Sequence, residues 1–391
     1  MLIQRLALKK ILSFNDSTVE LGPLNVLIGP NAVGKSNLIE VISLLQAAPT
    51  GIEAQILRGG GVRQWLWLGE KDPAQLAEIE CKLAPTSWPH LGPLFYRLDF
   101  WGGTEGFEIL HERLMMNGEN ASGGQPIFMR TNKGVQLGSD TPEGATTEAA
   151  GSALSPKQSM LARFKNPLDP TPITQIGNQF EQISIFREFK TGMTSQARWG
   201  VSTAAPKDSL SEGADNLALV LHQLDFLGMH GRIQEYLKRF CDRFEDVKVN
   251  VGEGLARPFL REAGLTEILS GVRMSDGTLK FLCLLAVLFH PKPAPLVCIE
   301  EPELGLHPDA MRLIAEALVE ASERTQLIVT THSEALVDAF TDRPESVLVC
   351  ERDFDNGTQM KRLSHDELDA WLERYTLGEL WRKGEIGGGR W

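Results

Sequence analysis

Eight residues, Gly29-Pro30-Asn31-Ala32-Val33-Gly34-Lys35-Ser36, carry the strongest chemical signal in the chain. Their spacing is G-x-x-x-x-G-K-S. Glycines at both ends let the backbone curl and turn its N–H groups inward around a polyphosphate. Lys35 is placed to reach the outer phosphates, and Ser36 to put its hydroxyl on Mg2+. Residues 24–28 before the loop read as a buried strand, and residues 37–45 after it, beginning with Asn37, read as an amphipathic helix. Strand, glycine loop and helix N-terminus make an anion site, because the first N–H groups of a helix have no partner within it. A glycine-rich turn with an incidental lysine is the plain alternative, and the flanking elements argue against it. The chain is therefore expected to bind a nucleoside triphosphate.

Three later stretches could complete such chemistry. Residues 296–301, Leu-Val-Cys-Ile-Glu-Glu, form an apolar run ending in two acids. Apolar residues on both faces suit a central parallel strand. Glu300 at its end could hold Mg2+, and Glu301 could orient and deprotonate an attacking water. A strand that ends in surface acids is the alternative. Met274-Ser275-Asp276-Gly277-Thr278 precedes a strongly apolar helix expected over 279–290 and stopped by Pro291. Ser275 is placed as its N-cap, and the helix start could offer a second phosphate contact. Residues 327–333 read as a third apolar strand reaching His332, which at the C-terminal edge of a parallel sheet would point into the ligand crevice. Residues 303–308 read as a turn between the acidic strand and the next helix.

Positioning these groups requires a scaffold. The chain has 391 residues, a formal charge of −12 and five scattered cysteines without C-x-x-C spacing. The length fits one large or two ordinary domains. The acidity disfavours a surface that coats nucleic acid, and the cysteines read as reduced thiols of a cytoplasmic protein. The longest apolar run, 281–289, is too short to span a bilayer, so no membrane role is expected. The N-terminus reads as a strand followed by a hairpin turn at Asn15 and Asp16. Residues 76–83, 94–100 and 107–116 alternate as antiparallel strands. Residues 117–160, rich in Gly, Ser, Thr, Ala and Pro, read as irregular. Residues 182–186 read as a strand and 214–245 as helical.

As an ordered set, these motifs resemble the ATP-binding-cassette head shared by SMC, recombination-mediator and OLD-type ATPases. Gly29–Ser36 looks like Walker A, Ser275-Asp276-Gly277 like the signature, and Leu296–Glu301 like Walker B. Residues 303–307 match the D-loop position, and His332 the switch histidine. Asp276 departs from the usual signature glycine. The Q-loop glutamine has no clear place; Gln182 is the candidate. The chain most resembles the small ATPase type called AAA_21, whose C-terminal pattern residues 377–388 also match.

The resemblance implies an α/β P-loop NTPase fold with a mixed sheet, as a discontinuous head. Its core would be 1–110 and 265–391, with a helical or irregular insert lobe at 111–264. It implies Mg2+-dependent ATP hydrolysis with Glu301 and His332 catalytic. Gly29, Pro30, Asn31, Ala32, Gly34, Lys35, Ser36, Asn37, Ser275, Asp276 and Gly277 would contact ATP, with Ser36 and Glu300 on the metal. It further implies a homodimer that sandwiches ATP between heads, and a separate effector, often a TOPRIM-like nuclease, in antiphage defence. A DNA-clamping ATPase of repair or chromosome maintenance is the alternative. Residues 351–355 imitate a nuclease D-x-D, but the hairpin signal at 355–358 accounts for them, so no nuclease site is expected in this chain. Arg187, Lys190, Arg198 and Lys207 are read as a solvated loop, with contact to a nucleic acid or partner as the alternative. Arg232, Lys238, Arg239 and Arg243 are read as decorating a helix.

Overall fold

Alternation of apolar and polar residues builds the first two strands. β1 (Ile3–Ile11) buries Ile3, Leu6, Leu8 and Ile11, and β2 (Phe14–Glu20) buries Phe14, Ser17 and Val19. Successive side chains of a strand face opposite ways, so one face packs and the other meets solvent. The pair is antiparallel, from Arg5 opposite Glu20 to Ile11 opposite Phe14. The turn therefore falls at Leu12 and Ser13, earlier than expected, and Asn15 and Asp16 lie inside β2. Burial of Phe14 fixes this register, since a one-residue slip would turn it to solvent. β3 (Leu24–Ile28) is buried at all five positions, as a strand covered on both faces requires.

The structure, a computed structural model, describes residues 1–69, 75–84, 92–103, 106–116, 124–131, 134–138, 155–166, 168, 171–353 and 355–387. After β3 come α1 (Lys35–Ala47), α2 (Ile52–Arg58) and α3 (Val62–Trp65). A meander follows: β4 (Leu76–Leu83), β5 (Leu94–Gly103), β6 (Gly106–Met116), β7 (Gln125–Thr131) and β8 (Gly134–Leu137). Two short helices, α4 (Met160–Phe164) and α5 (Pro172–Glu181), close this stretch. β7 and β8 correct the irregular reading of 117–160. Ile127, Phe128, Val135 and Leu137 supply the apolar face that the surrounding small residues hide from a composition count. The remainder of that stretch lies mostly outside the described residues.

The chain continues through β9 (Ser184–Phe186), α6 (Gln196–Trp199), β10 (Val201–Ser202), α7 (Leu217–Phe226) and α8 (His230–Phe240). Next are β11 (Phe244–Gly252), β12 (Leu255–Glu262), β13 (Leu269–Ser270), α9 (Asp276–Leu288) and β14 (Leu296–Glu300). Then come α10 (Met311–Ser322), β15 (Gln326–Thr330), α11 (Glu334–Asp338), β16 (Val347–Asp353), β17 (Gly357–Arg362), α12 (His365–Leu372) and α13 (Leu377–Lys383). The helical reading of 214–245 becomes two helices parted at 227–229, with Phe244 already in a strand. The strand expected from 182 begins at Ser184, because Gln182 closes α5 as its C-cap and is exposed.

Two compact units result. One holds Met1–Ile183 and Glu345–Glu367, with the C-terminal residues from Gly384. Its strands run in the order β8-β7-β6-β5-β4-β1-β2-β17-β16-β3. All neighbours in it are antiparallel except β16 and β3, which are parallel. The other holds Ser184–Pro344 and Leu368–Lys383. It contains a parallel set β15-β14-β9 and an antiparallel sheet in which β12 pairs β10, β11 and β13. The α/β class and the mixed sheet are as expected. Among the described residues, no helix is long and apolar enough to cross a membrane. Four of the five free cysteines are buried, and burial pushes the Cys350 thiol up to about 12.

Candidate functional site

The phosphate loop belongs to the first unit. β3 ends at Ile28, and α1 starts at Lys35 with Gly34 as its N-cap. No side chain caps that helix start, and its first turn contains no acid. Its N–H groups and positive dipole end therefore suit an anion. Asn31, Ala32 and Ser36 are exposed, and Asn37 is half-buried. Ala32 holds a left-handed φ of 61°. Lys35 is buried, with Nζ donating to the carbonyls of Gly29 at 2.8 Å and Pro30 at 3.0 Å. The ammonium thus sits across the loop.

Two residues that sequence reasoning passed over brace this loop. Thr358 of β17 is fully buried, and its hydroxyl donates to the Val33 carbonyl at 2.6 Å. The same oxygen lies 2.7 Å from Ser13 Oγ. A Cβ on Gly34 would come within 2.3 Å of Thr358 Oγ1 and 2.4 Å of Ser13 Oγ, at a φ of 111°. Glycine is needed there for both space and backbone conformation. Beside the loop lies a cleft of about 820 Å³, lined by Ser13, Asn37, Gln64, Leu66, Trp67 and Arg352 among others. Its walls mix apolar and polar side chains. Nothing in local spacing marks Gln64 or Trp67 for it.

The remaining sequence-derived residues belong to the second unit. β14 lies between β15 and β9, parallel to both, and ends at Glu300. Glu301 follows in a left-handed conformation, φ 46°, with its N–H donating to the Thr330 carbonyl at 3.0 Å. Its carboxylate Oε1 stands 3.7 Å from His332 Nε2. β15 stops at Thr330, so His332 lies just beyond the strand rather than in it. Glu303 locks that loop: its Oε1 accepts from Thr331 Oγ1 and from the His332 N–H, each at 2.7 Å. Burial pushes the Glu303 carboxyl up, while these two donors pull it down. Arg187, just after β9, places Nη1 3.4 Å from Glu300 Oε1.

The Ser275 turn forms as expected. Ser275 Oγ accepts from the Thr278 N–H at 3.0 Å and lies 2.8 Å from Thr278 Oγ1. A Cβ on Gly277 would stand 3.0 Å from the Gly305 carbonyl oxygen, so glycine allows α9 to approach the turn after β14. Lys280 Nζ donates to Leu304 O at 3.0 Å in the same contact. The solvated reading of the basic stretch needs correction. Lys190 and Lys207 are exposed, but Arg198 is buried and bound to carbonyls and to Asp276. Arg232 and Arg239 do more than decorate α8, since each pairs with a glutamate of α10, Glu320 and Glu316. Asp353 accepts from the Asn356 N–H and, at 3.0 Å, from its side-chain amide, which makes it part of the hairpin turn.

The residues present fit ATP with Mg2+. The uncapped start of α1 and the buried Lys35 suit phosphate. No group of three or more His, Cys, Asp or Glu side chains forms a metal cage among the described residues. Mg2+ in a phosphate site needs none, because it keeps waters and takes phosphate oxygens beside one or two carboxylates.

The model of the AAA_21 family, described as "AAA domain, putative AbiEii toxin, Type IV TA system", matches residues 24–79 and 204–338. No curated protein matches the chain. Several solved structures do. An SMC head bound to the C-terminal winged-helix domain of ScpA is 14% identical, with 93% of this chain and 99% of that one covered at a TM-score of 0.58. The Smc head of Pyrococcus furiosus with an extended coiled coil, bound to the C-terminal domain of ScpA, is 14% identical over 95% and 98%, also at 0.58. The Smc head of Pyrococcus yayanosii with a coiled coil and joint is 12% identical over 95% and 99%, at 0.51. At such identities the likeness is one of fold. The fold is that of an SMC-like, ABC-type P-loop ATPase head.

Proposed function

We propose that this protein is a Mg2+-dependent ATPase whose heads pair around ATP and act as a switch on a separate effector. The phosphate loop with its buried, loop-spanning Lys35 carries this reading. ATP would lay its phosphates on Gly29–Asn37, with Pro30, Asn31 and Ala32 wrapping them and the nucleoside toward the cleft beside Trp67 and Gln64. By family resemblance alone, Ser36 and Glu300 would be the residues to hold Mg2+, which would draw charge from the outer phosphates. Glu301 takes the proton of the attacking water, and His332, 3.7 Å away, steadies that carboxylate and the developing charge. Ser275, Asp276 and Gly277 would meet the phosphates bound by a second copy. ATP then favours the closed pair, and hydrolysis releases it.

The effector is proposed to be a separate chain of TOPRIM-like nuclease type in an antiphage complex, by family resemblance. A DNA-clamping ATPase is the second reading, drawn from the same likeness to Smc heads. DNA-stimulated turnover without an added protein would select it.

Glu301→Gln tests the hydrolytic step. The amide keeps the shape and loses the base, so ATP should still bind while turnover falls about 10²–10⁴-fold. Nucleotide binding, hydrolysis and sizing with ATP read this. Full turnover would move the base elsewhere, with Glu300 next to be changed.

A further inference from the structure

The Ser275 turn has an acid in an awkward place. Asp276 is the first residue of α9, and its side chain is 62% exposed. A carboxylate at a helix N-terminus satisfies the positive dipole end itself and repels phosphate. An uncompensated Asp276 would oppose the role proposed for this turn.

Arg198 supplies the compensation. It comes from α6, 78 positions earlier in the chain, and is 4% exposed. Its Nη2 binds the Asp276 carboxylate and its Nη1 binds the Met274 carbonyl. The carbonyls of Gly271 and Val272 lie 3.4 Å from the same Nη1, and Nε donates to Thr191 O at 2.7 Å. A guanidinium presents five N–H donors in one plane. A single side chain thus gathers the carbonyls just before Ser275 and the carboxylate just after it. These acceptors offset the cost of burying the charge. The chain path they fix is the one on which Ser275 caps Thr278.

We propose that Arg198 is a positioning residue for ATP turnover: it neutralises Asp276 and holds the Ser275 turn in register, so that the turn can accept a phosphate. This rests on the reading of Ser275–Gly277 as a phosphate-contacting turn. It adds a residue from far outside the motif and assigns it a charge-balancing role.

The test is a mutant cycle on the full chain, reading ATP turnover with Mg2+ and a melting temperature for each variant. Arg198→Gln keeps an amide donor toward the carbonyls and drops the charge. It should lower kcat by about tenfold or more in the native background, but by less than about threefold in an Asp276→Gly background. KM for ATP should move less than kcat, because the phosphate loop is untouched. An equal loss in both backgrounds overturns the charge role. Arg198→Lys, the second variant, keeps the charge but gives up the planar fork, so its kcat should fall between those of Arg198→Gln and the native chain. A loss as deep as that of Arg198→Gln, in a chain that melts like the native one, also overturns the proposal. Ser275→Arg in the same assay tests the underlying reading. If it turns over ATP fully, the phosphate role of the turn falls. If it is inactive while Arg198 and Asp276 show no coupling, only the present proposal falls.

Discussion

At the scale of single residues, Lys35 holds two loop carbonyls and is the group proposed to meet phosphate charge. A hydrogen bond to a charged partner contributes about 1.5–3 kcal/mol, so Lys35→Ala should weaken ATP binding by about 10–100-fold. The fold should survive, because the loop remains braced by Thr358 and Ser13. Titration with a fluorescent ATP analogue, beside a thermal melt, checks both halves. Unchanged affinity would contradict the phosphate-loop assignment. The type and spacing of Gly34, Lys35 and Ser36 made the turn from β3 into α1 readable from sequence. Thr358, 345 positions from Ser13 in the chain, left no such trace.

At the scale of elements, the edge of the first sheet is tied by a buried carboxyl. Glu112 of β6 is fully buried and accepts from Tyr96 OH at 3.0 Å, Ser159 Oγ at 2.6 Å and the Met160 N–H at 2.7 Å. Its neighbour across the ladder, Arg130 of β7, donates to the Gln158 carbonyl at 2.7 Å. Together they clamp the segment that starts α4. Burial holds the Glu112 carboxyl above the usual carboxylate range, against the pull of Ser159, Met160, Tyr96 and Arg130. The folded state therefore binds this proton more tightly than the unfolded state does. This contribution to stability is full below the unfolded value of about 4.3 and is lost as pH rises through the raised folded value. Glu112→Gln removes the titration. From pH 5 to pH 8 the native chain should lose melting temperature relative to the variant. A difference that does not change with pH would refute this account.

At the scale of the whole molecule, the proposed switch requires two copies, and mixing two inactive variants exposes that requirement. Lys35→Ala retains an intact Ser275 turn, while Ser275→Arg retains an intact phosphate loop. A mixed pair has one site built from both intact halves and one site carrying both defects. Random pairing should then recover up to about a quarter of native turnover, since half the dimers are mixed and each has one working site. No recovery despite demonstrated mixed pairs would mean that Ser275 does not act across the pair or that single sites cannot fire.

The sequence by itself determined what depends on neighbours a few residues apart. The loop between β3 and α1, the Ser275 cap three residues before Thr278, and the apolar strand ending in Glu300 are local patterns of type and spacing. Hairpin geometry explained Asp353 for the same reason. Only the tertiary structure decided the pairings between distant positions. Arg198 reaches Asp276, Glu303 locks His332, and Thr358 braces Val33, across separations at which no periodicity connects the partners. β7 and β8 went unread because their apolar face is short and surrounded by small residues. Arg187 and Arg198 looked solvated because charge alone favours water. Their actual environment is set by acceptors that the fold brings to them.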